Sequence, residues 1–365
     1  MRPTRFLMIG GFLGAGKTTA LAWLADHYIR QGLRVGLVTN DQADNLVDSH
    51  FLRDRGFPVG EVAGACFCCK FDDLVQTAQQ LGDEQTPDVI LAEPVGSCTD
   101  LVATVIEPLR QIYGNQFAPG PLVALCKPEH GLRILADQPR RGFSPKAAYI
   151  FKKQLEEASV LAINKIDTLS SEELDQLTAL LQRQYPDKTV LAVSARRGDS
   201  MESLVAALES LDDGISDTLD LDYDIYADGE AELGWLNGMA TLSSEQPFDL
   251  DLLLVEVLDQ IRDTLNQQQA EIAHIKLYAD AGDASAVANL VAGHSDAELS
   301  QPANIHTSHV ELVINARVAC GPEQVEEAVS HSLQSVANNH DISSDIHSIQ
   351  RFRPGRPQPT HRLSK

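Results

Sequence analysis

A glycine-rich motif near the N-terminus constrains this sequence more than any other feature. Gly11 to Thr18 read Gly-Phe-Leu-Gly-Ala-Gly-Lys-Thr and match the pattern G-x-x-x-x-G-K-S/T. A short apolar run, Phe6–Ile9, precedes the motif, and a helical pattern follows it. This strand–loop–helix context predicts a phosphate-binding P-loop and leaves an incidental glycine-rich turn as a remote alternative.

Each residue type in this loop has a physical role. Glycines let the chain curl so that backbone N–H groups surround the phosphates at the positive end of the following helix. Lys17 is predicted to reach the β- and γ-phosphates, and the Thr18 hydroxyl to ligate Mg²⁺. The predicted phosphate-binding residues are Gly11, Gly14, Ala15, Gly16, Lys17, Thr18 and Thr19.

Alternating apolar runs and helical stretches over residues 1–210 predict an α/β domain, a P-loop NTPase with a mostly parallel sheet. The predicted strands are Phe6–Ile9, Val35–Thr39, Val89–Ala92, Leu122–Leu125, Val160–Asn164 and Val190–Val193. The chemically suggestive residues follow these strands, at the edge where such sheets bind ligands.

The remainder of the chain predicts a smaller α+β domain. Residues 211–230 form an acidic linker, and residues 231–340 have the order β-α-β-β-α. Its elements are predicted at Leu233–Leu242, Leu250–Leu265, Ile272–Ala279 and His309–Val318, with a final helix opened by Gly321-Pro322. Residues 341–365 end in a basic, proline-containing stretch and are predicted to be a disordered tail.

A second motif indicates which base is bound. Asn164-Lys165-Ile166-Asp167 follows a predicted strand. The Asp167 carboxylate can accept from guanine N1–H and the 2-amino group, neither of which adenine offers, while the Lys165 stem covers the ring and the Asn164 amide supports the base edge. Ser194-Ala195, after the next strand, is predicted to lie against guanine O6. A polar loop is the alternative, but together with the P-loop the motif favours GTP over ATP.

Two acids are candidates for a magnesium site. Glu93 ends a buried strand and Gly96 follows it, so Glu93 is predicted to hold Mg²⁺ through a water and the Gly96 N–H to sense the γ-phosphate. Asp41 ends the second strand, where a switch loop would approach Mg²⁺. The alternative for Glu93 is a carboxylate that only caps a helix.

Three cysteines within four residues, Cys66, Cys68 and Cys69, indicate metal or thiol chemistry. Their thiolates can bind one soft cation such as zinc or cobalt, with a fourth ligand from elsewhere in the chain, a partner or water. The alternatives are buried structural cysteines and a reversible vicinal disulfide. Cys98, Cys126 and Cys320 are predicted to be core residues.

Composition excludes several classes of protein. A formal net charge of −23 argues against non-specific nucleic-acid binding, which needs a basic surface. No apolar stretch approaches the ~20 residues of a membrane span or resembles a signal peptide, so a cytoplasmic protein is expected.

With these motifs in this order, the chain resembles the CobW family of GTPases, relatives of the urease and hydrogenase nickel-insertion GTPases. The resemblance implies metal-coupled GTP hydrolysis, with delivery of zinc or cobalt to a client protein. It departs from the family at Asn40-Asp41-Gln42-Ala43, at Ala65, at Glu93-Pro94-Val95-Gly96 and at Leu125–Pro128, and it lacks a histidine-rich tract. These departures indicate a divergent subgroup with its own client.

The sequence therefore predicts a Mg²⁺-dependent GTPase that acts as a metallochaperone for a client metalloprotein or cofactor-dependent enzyme. Its intrinsic turnover is expected to lie below the ~1–10³ s⁻¹ typical of enzymes. No residue is identified as the catalytic base, and the sequence does not give the oligomeric state. Two alternatives stay open: a GTP-switched chaperone whose cysteines carry no metal, and a GTPase that senses thiol oxidation.

Overall fold

A computed structural model describes residues 2–42, 46–81, 86–136, 144–210 and 218–363. Within these ranges the chain forms two compact units. The first takes its residues from 2–42, 56–229 and 356–363, and the second from 46–55 and 230–355. The predicted nucleotide-binding domain, 1–210, therefore differs from the first unit in two places: residues 46–55 belong to the second unit, and the end of the chain returns to the first.

The strands are β1 (Thr4–Gly11), β2 (Val35–Asn40), β3 (Val59–Val62), β4 (Val89–Glu93), β5 (Phe117–Pro119), β6 (Val123–Cys126), β7 (Val160–Ile163), β8 (Thr189–Ala192), β9 (Gly234–Asp249), β10 (Glu271–Asp280), β11 (Ser285–Leu290), β12 (Glu298–Gln301), β13 (His306–Ala319) and β14 (Ser343–Phe352). The helices are α1 (Lys17–Arg30), α2 (Val47–Asp54), α3 (Phe71–Gln80), α4 (Glu107–Tyr113), α5 (Pro128–Leu135), α6 (Pro145–Glu157), α7 (Ser171–Gln184), α8 (Met201–Ser210), α9 (Tyr223–Glu230), α10 (Leu250–Gln267) and α11 (Pro322–Asn339). A π-helical turn, Val102–Ile106, precedes α4, and a 3-10 turn, Ile166–Thr168, follows β7.

The first unit is built on one parallel sheet, which confirms the predicted α/β class. Its strands lie in the order β3-β2-β4-β1-β6-β7-β8, and β5 pairs alongside β1. All six predicted strands are present. The sequence analysis missed β3, which contains Gly60 and is mostly half-buried, and β5, which has three residues and ends in proline. Gly60 and Glu61 interrupt the apolar pattern of β3, and β5 is too short to show one.

Parallel pairing brings the carboxyl ends of these strands to one edge of the sheet. The loops after β1, β2, β3 and β4 are neighbours there, because these four strands are adjacent in the sheet. The loops after β7 and β8 lie along the same edge on the other side of β6. Every motif singled out in the sequence lies on one of these loops.

The second unit has a six-stranded antiparallel sheet in the order β12-β11-β10-β13-β9-β14. Alternate residues of its strands, with α10 and α11, form one apolar core. The predicted apolar stripes of α10 and β13 are buried in that core as the spacing indicated. Residues of the opposite parity, such as Tyr278 and Val313, pack with Val47 and Phe51 of α2. The predicted α+β class is confirmed, with β11, β12 and β14 added to the predicted elements.

Parts of two segments that were predicted to be irregular form regular structure. Of the predicted linker, residues 211–217 lie outside the described residues, but Tyr223–Glu230 forms α9 with Tyr226 fully buried. Of the predicted disordered tail, Ser343–Phe352 forms β14 against β9. Backbone pairing at the sheet edge and the packing of Ile346 and Ile349 on the core stabilise this strand. The prediction of disorder was wrong for 343–352 because composition does not report an available strand edge.

Among the described residues, no helix combines the length and apolar character needed to cross a membrane.

Candidate nucleotide and metal site

The P-loop connects β1 directly to α1. Gly11, Gly14 and Gly16 have φ values of 134°, 72° and 87°, a region that favours glycine. Gly16 is the residue before the first helical residue, Lys17. The Lys17 ammonium donates to the Gly11 carbonyl at 3.1 Å and lies 3.9 Å from Glu93 Oε1. The lysine therefore bridges the loop, at the place where phosphate oxygens would meet backbone N–H groups and the helix N-terminus.

Asn164 joins the P-loop to the predicted guanine loop. Its Nδ2 donates to the Ala15 carbonyl at 2.8 Å, and its Oδ1 accepts from the Ala195 N–H at 2.9 Å. A side chain at Gly16 would collide with it, since an added Cβ would lie 2.5 Å from Asn164 Nδ2. The structure thus brings three sequence motifs into direct contact through one buried amide.

Asp167 lies beside the Ser194-Ala195 pair. The Ser194 hydroxyl donates to Asp167 Oδ1 at 2.6 Å, and the Arg197 guanidinium is 3.8 Å from Asp167 Oδ2. Lys165 has a positive φ of 63°, which sets the chain direction between the Asn164 and Asp167 side chains. Ser194 therefore holds the carboxylate that the sequence assigns to the base edge.

Two of the predicted magnesium residues are in contact. The Thr18 hydroxyl donates to Glu93 Oε1 at 3.3 Å, and both side chains are buried. Their oxygens are the donor type that Mg²⁺ prefers, so this pair fits a magnesium ion. Asp41 is also buried, at the end of β2, and its Oδ1 accepts from the Gln42 N–H at 2.6 Å. It lies two residues beyond Thr39, which pairs with Glu93 across the β2–β4 ladder.

The loop after β4 packs directly on the P-loop. An added Cβ at Gly96 would lie 2.7 Å from the Leu13 side chain and 3.2 Å from the Leu13 backbone nitrogen. Only glycine allows this approach without displacing Leu13. From α6, Gln154 Nε2 donates to the carbonyls of Gly96 and Cys98 at 3.0 and 2.9 Å. A shift of the P-loop would therefore be transmitted to residues 96–98.

The three clustered cysteines lie in a tight turn between β3 and α3. The Cys66 carbonyl accepts from the N–H groups of Cys69 and Lys70, both at 3.0 Å, which folds the chain back on itself. Asn40, at the end of β2, fixes this turn. Its Nδ2 donates to the carbonyls of Val62 and Ala65, both at 2.8 Å, and its Oδ1 accepts from the Phe67 N–H at 2.9 Å.

The geometry of the sulfurs suits one thiophilic cation. The Sγ atoms of Cys66 and Cys68 are 2.9 Å apart, those of Cys66 and Cys69 3.3 Å, and those of Cys68 and Cys69 3.7 Å. Around a tetrahedral zinc with Zn–S bonds of about 2.3 Å, sulfurs lie about 3.8 Å apart. A small expansion of the cluster meets that geometry, and the separations exceed the ~2.05 Å of a disulfide. Among the described residues this is the one group of three or more potential ligand side chains that lie this close together.

The cluster concentrates negative charge on one sulfur. Hydrogen bonds from Cys68, Cys69 and Cys98 hold the pKa of Cys66 well below its usual value. Donation to Cys66 raises the pKa of Cys68 well above its usual value and raises that of Cys69 to about 11. One thiolate is therefore stabilised by its neighbours, and a bound cation would displace the remaining protons.

Cys98 and Cys126 are buried, as the sequence analysis predicted. Cys98 is not among the potential ligand side chains that lie close together in the described part of the chain. Cys126 contacts the Lys127 carbonyl at 3.7 Å.

The C-terminal segment covers the cysteine turn. The Gln358 N–H donates to Cys69 Sγ at 3.2 Å, and the Thr360 N–H donates to the Cys68 carbonyl at 2.8 Å. Farther along, Arg362 Nε donates to the fully buried Asp100 Oδ2 at 2.7 Å. Residues 358–362 therefore cover two of the cysteines, in a segment that the sequence analysis predicted to be disordered.

Comparison with known proteins relates the first unit to one family. The family model described as "CobW/HypB/UreG, nucleotide-binding domain" matches residues 5–192. The zinc chaperone CobW of Pseudomonas aeruginosa is 26% identical over 222 residues, 53% of this chain and 56% of the relative. The zinc chaperone YeiR of Escherichia coli is 27% identical over 195 residues, covering 52% and 54%. The zinc-regulated GTPase metalloprotein activator 1 of Dictyostelium discoideum is 22% identical over 246 residues, covering 58% and 48%.

The chain thus spans about half the length of the curated relatives it matches. Among solved structures, nickel-bound HypB from Helicobacter pylori aligns with a TM-score of 0.42 and 17% identity, over 57% of this chain and 86% of that protein. Zn(II)-bound YjiA GTPase from E. coli aligns with a TM-score of 0.40 and 16% identity, over 91% and 99%.

Proposed function

Because this chain belongs to the CobW/HypB/UreG nucleotide-binding family, we propose that it is a GTP-hydrolysing metallochaperone. It binds zinc or cobalt as cargo through Cys66, Cys68 and Cys69, and its nucleotide state controls the delivery of that metal to a client protein. The observation that carries the proposal is the sulfur cluster itself, three thiols within 3.7 Å of one another on a loop next to the nucleotide edge.

Selection of GTP rests on Asp167. Its carboxylate is oriented by Ser194, so that its free acceptor positions can meet the two donors of the guanine edge. The Asn164 amide holds the base loop on the P-loop at Ala15, so that correct binding of the base also positions the phosphates. The curated relatives include proteins named as zinc chaperones and as a zinc-regulated GTPase, which supports this choice of nucleotide and cargo.

Hydrolysis depends on the buried residues around the γ-phosphate position. Lys17 stabilises the charge that develops on the phosphate oxygens. The Thr18 and Glu93 oxygens would hold magnesium, which would neutralise charge on the β- and γ-phosphates. Water is the nucleophile. Intrinsic turnover is slow, below ~1 s⁻¹, because the client accelerates hydrolysis.

Coupling follows from the loops that the two sites share. Asn40 and Asp41 are consecutive: Asn40, the last residue of β2, holds the cysteine turn, and Asp41 follows β2, whose Thr39 pairs with Glu93. A change at the γ-phosphate that moves the β2 and β4 loops therefore moves the cysteine turn. One nucleotide state retains the metal and the other releases it.

An anaerobic zinc titration against a chromophoric chelator tests the metal site. Reduced wild type, the triple variant Cys66→Ser/Cys68→Ser/Cys69→Ser, and the buried control Cys126→Ser are compared. Tight binding in the wild type and the control, lost in the triple variant, supports the proposal. Equal and weak binding by all three proteins would overturn it and favour a chaperone whose cysteines carry no metal. A disulfide found by mass spectrometry in protein purified without reductant would instead favour redox sensing.

A further inference from the structure

The C-terminal segment, residues 357–363, crosses the cysteine turn on the surface of the first unit. Its sequence, Pro-Gln-Pro-Thr-His-Arg-Leu, has proline at the first and third positions. Proline fixes its own φ near −65° and restricts the residue before it to extended backbone, so the start of the segment loses little freedom when it docks. Alternate residues are turned inward: Pro357 is buried, and Pro359, His361 and Leu363 are half-buried.

The middle of this segment is attached to the cysteine turn. The Gln358 N–H donates to Cys69 Sγ at 3.2 Å, and the Thr360 N–H donates to the Cys68 carbonyl at 2.8 Å. The Thr360 hydroxyl donates to the Cys69 carbonyl at 3.2 Å. A ligand from another protein that approaches Cys69 from this side must therefore displace the segment.

A buried ion pair anchors the end of the segment. The side chain of Asp100 is fully buried, and its Oδ2 accepts from Arg362 Nε at 2.7 Å. The Tyr223 hydroxyl donates to the same oxygen at 2.7 Å, and Arg362 Nη2 donates to the Leu219 carbonyl at 2.8 Å. A buried carboxylate is stable when it is paired and hydrogen-bonded. The segment therefore supplies the cation that this carboxylate needs.

The position of Asp100 is fixed by its own loop. Asp100 lies between β4 and the π-helical turn and has a positive φ of 66°, which is uncommon for a residue with a side chain. Its carbonyl accepts from the N–H and the hydroxyl of Thr104, at 3.0 and 2.6 Å. The backbone around Asp100 is thus held without any contribution from the C-terminal segment, so the carboxylate is a preformed site for a guanidinium.

We propose that residues 357–363 are a removable cover over the metal cysteines, anchored by Arg362 at Asp100, and that metal transfer requires this anchor to open. The consequence for metal rests on the proposed function, whereas the cover and its anchor are tested without metal. In the closed state the segment lies on the cysteine turn. In the open state Arg362 leaves Asp100, the segment moves away from the turn, and a client ligand reaches the sulfurs.

Iodoacetamide labelling of Cys69 in the reduced, metal-free, full-length protein measures this opening. Arg362→Ala is expected to label Cys69 about 10–100-fold faster than the wild type, the factor that corresponds to one hydrogen bond to a charged group. Arg362→Lys keeps a cation but loses the fork of the guanidinium, so its rate should lie between the two. Arg356→Ala is the control and should match the wild type, because the Arg356–Asp224 ion pair, at 2.7 Å, is exposed on both sides.

Amide hydrogen exchange gives a second readout that does not depend on thiol chemistry. The N–H groups of Thr360 and Leu363 donate to carbonyls of the first unit, and both should exchange faster in Arg362→Ala by a similar factor. Cys126, fully buried in β6, is the internal reference for the fold of the first unit, and its labelling rate should not change. If Arg362→Ala also exposes Cys126, the decision rests on Arg362→Lys, which must label Cys69 faster than the wild type does.

The outcomes separate this inference from the proposed function. Equal Cys69 labelling and equal amide exchange in the wild type, both Arg362 variants and Arg356→Ala would overturn the anchor. In zinc-loaded protein, Arg362→Ala should release zinc to excess chelator about 10–100-fold faster, and an unchanged release rate would overturn the role of the cover in metal transfer. Faster labelling in Arg362→Ala, with zinc binding that does not need the three cysteines, would support the cover and overturn the proposed function.

Discussion

Replacing Asn40 with alanine tests whether the end of β2 organises the metal site. The side chain is 6% exposed and makes three hydrogen bonds to the cysteine turn: two donated to the Val62 and Ala65 carbonyls and one accepted from the Phe67 N–H. Alanine removes all three. Because the turn positions the three sulfurs, both stability and metal affinity should fall.

The magnitude follows from the number of bonds lost. Each buried hydrogen bond contributes about 0.5–1.5 kcal/mol net, which gives a total of about 1.5–4.5 kcal/mol for three. The Val62 carbonyl still accepts from the Asp41 N–H, so the lower half of this range is favoured. Residues that support metal ligands typically change affinity by about 10–100-fold, and Asn40→Ala should weaken zinc binding by that factor.

Urea unfolding of metal-free protein and chelator competition for zinc measure the two effects. Asn266→Ala is the control, since Asn266 makes one hydrogen bond to the Gly293 carbonyl in the second unit. Asn40→Asp keeps the acceptor for Phe67 but turns a carboxylate toward two carbonyls, so it should bind zinc at least as weakly as Asn40→Ala. An Asn40→Ala protein with unchanged zinc affinity would refute the view that this residue positions the sulfurs.

Three further predictions follow from single contacts. Burial raises the pKa of Glu157 to about 8, so this side chain is protonated in the folded protein at lower pH. As pH rises from about 4.5 to 8, the free energy of unfolding of the wild type should fall by about 2–4 kcal/mol relative to that of Glu157→Gln. Urea unfolding measures the difference. Asp167→Asn can place an amide N–H opposite the N1–H and 2-amino groups of guanine, where the carboxylate accepted hydrogen bonds. GDP binding, measured by calorimetry, should therefore weaken about 10²–10⁴-fold. Removal of residues 357–365 should speed zinc release and thiol labelling at Cys69, because Gln358 and Thr360 no longer cover the cysteine turn.

Each of these has its own control and contrary result. For Glu157, the pKa in the folded state lies above that in the unfolded state. The pH-dependent loss of stability relative to Glu157→Gln should therefore be absent below about pH 4.5 and complete above about pH 8. A stability difference that does not change with pH would contradict a buried, protonated acid. For Asp167, the exposed Asp187→Asn is the control, and unchanged GDP affinity argues against base reading by this loop. For the C-terminus, a chain ending at Arg362 keeps the contacts to Cys68 and Cys69, and equal release rates from both truncations would remove any covering role.

The sequence predicted the parts of the fold and site that depend on local pattern. The P-loop, the six predicted strands and the amphipathic helix α10 each have an apolar pattern or motif that is complete within a short stretch of sequence. Because parallel strands place their carboxyl ends together, the motifs after them could also be assigned to one edge before the strand order was known. The metal cysteines were predicted from their spacing, three within four residues.

Features that depend on contacts across the chain could not be predicted. Asn40 was noted only as a departure from a family pattern, since its hydrogen bonds go to a turn more than 20 residues away. The C-terminal segment has a composition typical of disorder, yet it is ordered by β9 and by backbone bonds to the cysteine turn, which no local window of sequence contains.

The central claim, that nucleotide state sets metal affinity, is tested most directly by one zinc titration in two states. Reduced wild-type protein is titrated with zinc in the presence of GDP and of a non-hydrolysable GTP analogue with magnesium. The account predicts dissociation constants that differ by about 5–150-fold, and a reciprocal shift of the same size in nucleotide affinity when zinc is added. Equal zinc affinities in the two states would contradict it.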